Sequence, residues 1–211
     1  LTQNNVSTTL TLSNSGLTTF SNVDLTNNTT NRTLTLDASA GNVAITGVVA
    51  NGGGSTASAL TKSGAGLLTL SGSSSNTYGG TTTVNDGTLA LAKTGSATAV
   101  SGNLVIGNGS GTATVRLDAD NQLASASTIS LTTGGTPIFN LNGFSQQIAS
   151  LTSSNSGAQV QLGSPGSATT FTVGNASSTT YAGVITGGAN AAFAKTGSGT
   201  LTLSGASTFA G

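Results

Sequence analysis

The sequence contains no His, Cys, Met, Trp or Glu, and its only charged residues are five Lys or Arg and five Asp. Without Cys or His, the chain lacks the side chains that most often bind zinc and other transition metals. A nucleophile–histidine relay and thiol chemistry are excluded for the same reason. The charges cancel, so no basic footprint for nucleic acid is present. We therefore expect no metal, no cofactor and no nucleic-acid partner.

Long apolar runs are also missing, since the longest fall far short of a membrane-spanning helix. Residue 1 is Leu, and the charged and apolar regions of a signal peptide do not follow it. We expect no membrane insertion and no signal peptide in this chain. The absence of Cys is compatible with an exported bacterial protein that does without disulfides.

Gly, Ser, Thr and Asn make up 119 of the 211 residues. These residues are poor helix formers, whereas Thr and Val fit the surface of a pleated sheet. Disordered chains usually combine low hydrophobicity with high net charge, but here 35% of the residues are apolar and the net charge is zero. With only 4% aromatic residues, a thick globular core is not expected. The composition predicts an all-β protein with a thin, elongated core.

Short apolar-x-apolar triplets recur along the chain, often with centres about 10 to 12 residues apart. Examples are Leu34-Thr35-Leu36, Leu68-Thr69-Leu70, Leu104-Val105-Ile106 and Ile129-Ser130-Leu131. In each triplet two side chains point inward and the middle one points outward. Strands this short are not typical of an antiparallel sandwich. They suffice in a parallel β-solenoid, in which the coils above and below complete their hydrogen bonds. Two or three triplets per coil predict coils of roughly 20 to 30 residues and about seven to ten coils.

A 13-residue block occurs twice, at 60–72 and 193–205, with Lys, two Gly, Leu-Thr-Leu and Ser-Gly in step. Residues 60–91 continue through Asn-Thr-Tyr-Gly-Gly-Thr-Thr-Thr-Val and Gly-Thr-Leu. This pattern resembles the autotransporter-associated β-strand repeat, also called the passenger-associated transport repeat. Residues 193–211 resemble the first half of a second copy. The resemblance implies a right-handed parallel β-helix in an exported bacterial surface protein, with 1–211 as a single solenoid array that continues in a longer parent protein.

The acidic residues include one close pair, Asp118 and Asp120, which follows Arg116. Two carboxylates can begin a calcium site, but Ca²⁺ takes 6–8 oxygen ligands and no further acids lie nearby in sequence. We expect a solvated strand end with a local ion pair, and we assign no catalytic, cofactor or metal residue. Lys62 and Lys195 occupy equivalent repeat positions. We expect both to be solvated charges that block edge pairing.

Two further groups of residues have more than one interpretation. Thr-x-Thr pairs can order water and bind ice, but their irregular spacing favours ordinary outward strand residues. The aromatic residues can form a sugar-stacking surface, but we expect most of them to fill the interior or its corners. These aromatics are Phe20, Tyr78, Phe139, Phe144, Phe171, Tyr181, Phe193 and Phe209.

The sequence thus favours an extracellular structural or adhesive rod on a bacterial surface, without enzymatic activity. Open coil ends and a nearly uncharged surface predict self-association, end-to-end or lateral, and a cell-surface or glycan partner is compatible with the same surface. The alternatives are a polysaccharide-active enzyme built on a β-helix, and a glycan- or ice-binding module. Dependence on calcium would indicate the enzyme, thermal hysteresis would indicate ice binding, and filaments would indicate the rod.

Overall fold

A computed structural model describes residues 1–2, 6–13, 15–26, 28–52, 54, 57–108, 111–163 and 168–209. Ala210 and Gly211, which end the second repeat copy, lie outside the described residues. No helix among the described residues is long and apolar enough to cross a membrane. In chain order, the strands are β1 (Thr8–Thr11), β2 (Leu17–Phe20), β3 (Val23–Asp24), β4 (Thr33–Asp37), β5 (Asn42–Ile45), β6 (Val49–Ala50), β7 (Ala59–Ser63), β8 (Leu67–Gly72), β9 (Thr82–Val84), β10 (Gly87–Lys93), β11 (Leu104–Ile106), β12 (Ala113–Leu117), β13 (Thr128–Leu131), β14 (Ile138–Asn140), β15 (Gln146–Ile148), β16 (Ser150–Thr152), β17 (Gln159–Gln161), β18 (Thr169–Val173), β19 (Thr179–Tyr181), β20 (Val184–Thr186), β21 (Ala191–Lys195) and β22 (Leu201–Leu203).

These strands form three faces of a parallel β-solenoid of about seven turns, which confirms the predicted fold class. The first face has the order β1-β4-β7-β9-β11-β13-β16 and continues through a bridge between Ser153 and Tyr181 to β19 and β22. The second face has the order β2-β5-β8-β10-β12-β14-β17-β20. The third face contains β3-β6 near one end and β15-β18-β21 near the other.

Alternation within each strand separates the core from the surface. In β4, Leu34 and Leu36 are buried while Thr33, Thr35 and Asp37 remain partly exposed, as expected for side chains that alternate between the two faces of a strand. The buried apolar residues of successive coils form one continuous cluster from Leu12 to Ala191. Because each coil contributes only a few inward side chains, burial of this core depends on stacking.

Coil length varies, but the register between coils is kept. Leu34 pairs with Leu60 after 26 residues, Leu60 pairs with Thr82 after 22, and Ser153 pairs with Tyr181 after 28. These lengths fall within the predicted 20 to 30 residues. Insertions are therefore accommodated at the corners, where loops tolerate them, and the strands remain aligned.

Several strands were not predicted because polar residues fill inward positions. Thr82 of β9 is fully buried, as is Lys62 of β7. The hydroxyl of Thr82 forms a 2.7 Å hydrogen bond with the hydroxyl of Tyr78, which is also buried. A buried polar group is tolerated when it has such a partner. A search for apolar doublets alone misses these strands.

The aromatic side chains pack in or against the core, as the sequence predicted for most of them. Tyr78, Phe139, Phe171 and Tyr181 are buried, and the four remaining phenylalanines are half-buried. Toward the C-terminal end, a row of four rings has centroid separations of 5.7 to 5.8 Å, and it consists of Phe139, Phe171, Phe193 and Phe209. Tilted and edge-on contacts at these distances are favourable for aromatic pairs.

Glycine at the corners allows adjacent coils to approach closely. A Cβ atom on Gly66 would lie 2.4 Å from the carbonyl oxygens of both Ala38 and Gly41 in the preceding coil. Gly95 has a positive φ of 63°, but a Cβ there would meet no atom within 4 Å. Substitution of Gly66 therefore tests the close contact between coils, and substitution of Gly95 tests the backbone conformation alone.

We expect Gly66→Ala to lower the free energy of unfolding by about 3 kcal/mol, because the new methyl group forces the coils apart. Gly95→Ala should cost about 1 kcal/mol, the strain of its positive φ alone. Urea denaturation followed by circular dichroism measures both. Equal losses in the two variants would contradict tight packing at the Gly66 corner.

Candidate functional site

Asp118 and Asp120, the close acidic pair in the sequence, make two different contacts. Asp118 forms an ion pair at the surface, and Asp120 forms a hydrogen bond between coils. Arg116 donates from Nε and Nη2 to the two carboxylate oxygens of Asp118, at 2.8 and 2.9 Å. These hydrogen bonds raise the pKa of Arg116. Asp120 instead accepts a 2.6 Å hydrogen bond from the backbone N–H of Ser145 in the next coil. The local ion pair is confirmed, and the two carboxylates serve different contacts. The described residues contain no group of three or more acidic side chains that could hold a metal.

Lys62 is not solvated, so the expectation of a surface charge at this position was wrong. It lies at an inward position of β7, between Leu36 and Val84 of the adjacent coils, and has no exposed surface. Its Nζ donates to the carbonyl oxygens of Ser63 at 2.9 Å, of Asp86 at 3.1 Å, and of Gly64. The aliphatic part of the side chain fills the core while the ammonium group satisfies carbonyls at the corner.

This contact, which we call the lysine clamp, joins two coils. The carbonyls of Ser63 and Gly64 belong to the corner after β7, whereas the carbonyl of Asp86 belongs to the next coil. Desolvation lowers the pKa of Lys62 to about 8, and the charges of Asp86 and Asp37 oppose that shift. Ammonium–carbonyl hydrogen bonds are charge-assisted and stronger than neutral ones. Lys62 therefore holds the corner and the following coil together.

Lys195 forms only part of the same arrangement. Its Nζ donates to the carbonyl oxygens of Thr196 and Gly197, the counterparts of Ser63 and Gly64. The corners share their backbone shape, since φ is 75° at Gly64 and 71° at Gly197. Lys195 is exposed, in agreement with the prediction. It also occupies the inward column, in register with Val173, and no coil among the described residues covers it.

Two segments of the chain match the passenger-associated-transport-repeat family model. They are residues 60–91 and 193–211, about a quarter of the sequence. Each contains one of the two lysine corners. No curated protein and no solved structure matches the chain.

The two transport repeats occupy different corners of the solenoid. In the first repeat, the corner joins β7 on the first face to β8 on the second. In the second repeat, it joins β21 on the third face to β22, which continues the first. The Lys-Ser/Thr-Gly-x-Gly sequence therefore specifies a type of corner rather than one position around the coil.

Lys93, just beyond the matched part of the first transport repeat, was not predicted to be buried. It ends β10 and is 1% exposed, and its Nζ donates at 2.6 Å to the carbonyl oxygen of Gly47, two coils earlier. Burial lowers its pKa. The alternation Leu89, Leu91, Lys93 places it on the inward side of the strand, and this signal would have identified it.

Buried amides replace strand pairing where the third face has no regular strands. Asn76, in the first transport repeat, accepts from the backbone N–H of Val49 and donates to the carbonyl oxygen of Ala99, both at 2.8 Å. Gln122 makes the same kind of contact with both backbone groups of Lys93, and Gln146 with both of Leu123. Gln122 and Gln146 are 24 residues apart, which is about the length of one coil. This spacing would have indicated that the two side chains occupy the same column.

Outward hydroxyls form an aligned column on the first face. Their positions confirm the outward prediction, although the irregular spacing in sequence becomes a regular stack once the corners absorb the length differences. The in-register hydroxyl positions are Thr9, Thr35, Thr61, Thr83, Ser130 and Thr152, with Val105 interrupting the column between Thr83 and Ser130, and Thr180 pairs with Thr202 farther along. A groove of about 600 Å³ lies beside this column, among Ser130, Thr132, Thr152 and Thr180. Its lining offers hydrogen-bonding groups but no ionisable side chain.

Replacement of Asn76 by Leu should lower the free energy of unfolding by about 3 kcal/mol, because the N–H of Val49 and the carbonyl of Ala99 lose their buried partner. The matched control is Asn85→Leu, at a half-buried position without a side-chain hydrogen bond to the described residues. It should change stability by less than about 0.5 kcal/mol. Urea unfolding tests both variants, and an unaffected Asn76→Leu chain would contradict the bridging role.

Stability should rise between pH 8 and pH 10. The ordinary Lys pKa is 10.5, and that of Lys62 in the folded chain is about 8, so in this window the unfolded chain binds more protons at this residue. Proton linkage then gives a gain on the order of 1–2 kcal/mol. Above pH 10 the buried Tyr78, with its pKa raised to about 12, acts in the opposite direction.

Urea unfolding at a series of pH values measures this dependence. Lys62→Met should show a smaller rise, with a remainder from Lys93, whose pKa is lowered by the same cause. Lys195→Met is the control at an exposed lysine and should keep the full dependence. An identical profile for Lys62→Met and the unmodified chain would contradict the assignment.

Proposed function

We propose that this chain is a structural section, a stiff stalk, of a secreted or surface-exposed autotransporter passenger protein. The observation that carries the proposal is the unbroken stacking of coils around one core, with parallel backbone pairing on three sides. Such an array resists bending because every coil is hydrogen-bonded to its neighbours over most of its length. The transport-repeat match supports the assignment to a passenger protein.

The contacts made by the charged side chains support a structural role rather than a catalytic one. Lys62 and Lys93 donate hydrogen bonds to carbonyls of other coils, and Arg116 pairs with Asp118. Asp120 accepts a hydrogen bond from a backbone N–H. Glycoside hydrolysis needs two carboxylates facing each other across a cleft, and a lyase would need a free base beside its substrate. The five carboxylates of the chain are spread over several coils. The polar hydroxyls of the first face would then keep the stalk soluble with little charge.

Surface display tests this function. The chain is inserted between a secretion signal and an outer-membrane translocator in a bacterial host, with an epitope at its N-terminal end. We expect intact cells to present the epitope on a protease-resistant section, because a stacked core protects the chain from cleavage. Asn76→Leu serves as the destabilised comparison and should be cleaved faster.

The same cells report on the enzyme alternative. Incubated with polyuronates and Ca²⁺, they should release no unsaturated sugar. Retention of the chain inside the cell, or its rapid cleavage at the surface, would contradict the stalk. Calcium-dependent release of unsaturated sugar that is lost in the Asp118→Asn and Asp120→Asn variants would show that the chain is an enzyme and would contradict the stalk function.

A further inference from the structure

The outward surface of the second face changes its chemistry in the middle of the array. Along one outward column, three successive coils carry long side chains with planar polar groups, whereas the coils before and after them carry Thr or Ala. In chain order this column consists of Thr19, Ala44, Thr69, Ala90, Arg116, Asn140, Gln161, Thr186 and Thr208. The aligned column of the first face contains only short side chains. The long polar side chains are therefore a local feature of this surface.

Hydrogen bonds between residues two apart orient these side chains within each coil. The pairs are Arg116 with Asp118 at 2.8 and 2.9 Å, Asn140 with the backbone N–H of Asn142 at 2.8 Å, and Gln161 with Gln159 at 2.9 Å. We call these six residues the polar ladder. Neighbouring strands lie about 4.8 Å apart, so the ladder extends over two such intervals along the solenoid axis. Side chains that are already oriented lose less freedom when a ligand binds.

The polar ladder keeps unused hydrogen-bonding capacity. An amide group has two donor hydrogens and an acceptor oxygen, and the contacts within each coil use only part of this capacity. Nδ2 of Asn140, Nε2 of Gln159 and Oε1 of Gln161 form no hydrogen bond with the described residues. None of these atoms is among the buried polar atoms that lack a partner. They are therefore open to a ligand from solution.

A groove of about 240 Å³ gives a ligand access to these groups. It lies among Asn140, Asn142, Gln161 and Thr186, which supply amides and a hydroxyl group. None of these four side chains carries a charge, and the one charged pair of the polar ladder is neutral as a whole. We therefore expect a neutral ligand, because an anion or a cation would find no unpaired opposite charge on the ladder.

Apolar side chains border the polar ladder on the side opposite the groove. In the adjacent outward column, Gln159 lies between Ile138 of the preceding coil and Val184 of the following one. Both apolar side chains are half-buried, so part of their surface is open to a ligand. A sugar ring combines hydroxyl groups, which donate and accept hydrogen bonds, with faces made of C–H groups. These two kinds of surface match the amides and the aliphatic side chains of this region.

We propose that the polar ladder binds a neutral glycan whose sugar chain lies along the solenoid axis. The amides of Asn140, Gln159 and Gln161 bind sugar hydroxyls, and Ile138 and Val184 contact the C–H faces of the rings. Apolar surface with a few oriented polar groups is the usual composition of a small-molecule site. The site goes beyond the proposed stalk function, since it gives the side of the solenoid a ligand of its own.

The charge of the ligand is tested first. The unmodified chain is applied to an array of linear glucans, mannans, galactans and chitin fragments, with polygalacturonate beside them. We expect binding to at least one neutral series, about tenfold or more tighter than to polygalacturonate, because the guanidinium of Arg116 is already paired with Asp118. Absence of binding to every neutral series, or binding to polygalacturonate that is equal or tighter, would overturn the proposal.

Titration calorimetry with the neutral oligosaccharide that binds most tightly then locates the site. Gln161→Ala should weaken the affinity about tenfold, because it removes one amide and the contact that orients Gln159. Gln147→Ala is the matched control, at an exposed outward position of β15 on the third face, and should keep the affinity of the unmodified chain. Circular dichroism first establishes that both variants keep the β-sheet spectrum. An unchanged affinity in Gln161→Ala, or equal losses in both variants, would overturn the placement.

Side-chain amide signals in the proton–nitrogen NMR spectrum of the unmodified chain give a readout that needs no variant. Addition of the same oligosaccharide should shift the signals of Asn140, Gln159 and Gln161 and leave that of Gln147 in place. Shifts confined to residues outside the second face would refute the site. A chain that binds no neutral glycan yet reaches the cell surface in protease-resistant form would refute the glycan site and leave the stalk function standing.

Discussion

The parallel hydrogen-bond register between successive coils is the constraint on which the rest of this structure depends. It places Leu34 over Leu60 and Leu36 over Lys62, and a slip by one residue would turn each of these inward side chains to solvent. The corners are held as tightly as the strands, because the carbonyls of Ala38 and Gly41 occupy the space that a Cβ on Gly66 would need. The apolar core is thin, so it cannot compensate for lost register by packing alone, and alignment of the backbone is a condition for burial.

This constraint explains why a chain with so few charges places two of its three lysines inside. A turn at a corner leaves carbonyl oxygens without strand partners, and a buried carbonyl without a hydrogen bond is costly. An ammonium group carries three donors. Lys62 directs them to the carbonyls of Gly64 and Asp86, and to the carbonyl of Ser63, which also accepts from the backbone N–H of Ala38. Asn76, Gln122 and Gln146 solve the same problem on the third face with amides, which donate and accept like the backbone that they replace.

The sequence was sufficient to predict the coil, because the apolar doublets and the glycine-rich corners are local patterns. It did not predict β7 or β9 as strands, since Lys62 and Thr82 occupy positions that a hydrophobic doublet would fill. Lys62 follows Leu60 at a spacing of two, and Lys93 follows Leu91 in the same way, so alternation alone would have placed both inside. What could not be read locally is the partner of each polar group. The acceptor of Lys93 is 46 residues away, and only the stacking of coils determines that distance in space.

The placement of the two transport repeats shows how such an array can be extended. Their 133-residue offset does not bring them to the same corner: one lies between the first and second faces, the other between the third and the first. A motif that forms an equivalent corner at different positions cannot depend on contacts peculiar to one face. It depends on the strand before it, the glycines within it and the preceding coil, whose carbonyl oxygens occupy the space that a Cβ on Gly66 or Gly199 would need. Coils of 22 to 28 residues accordingly stack in one register in this chain, with inward alternation kept in each. A protein built in this way gains length by addition of coils without a change in any single site, and length is the property that the proposed stalk function requires.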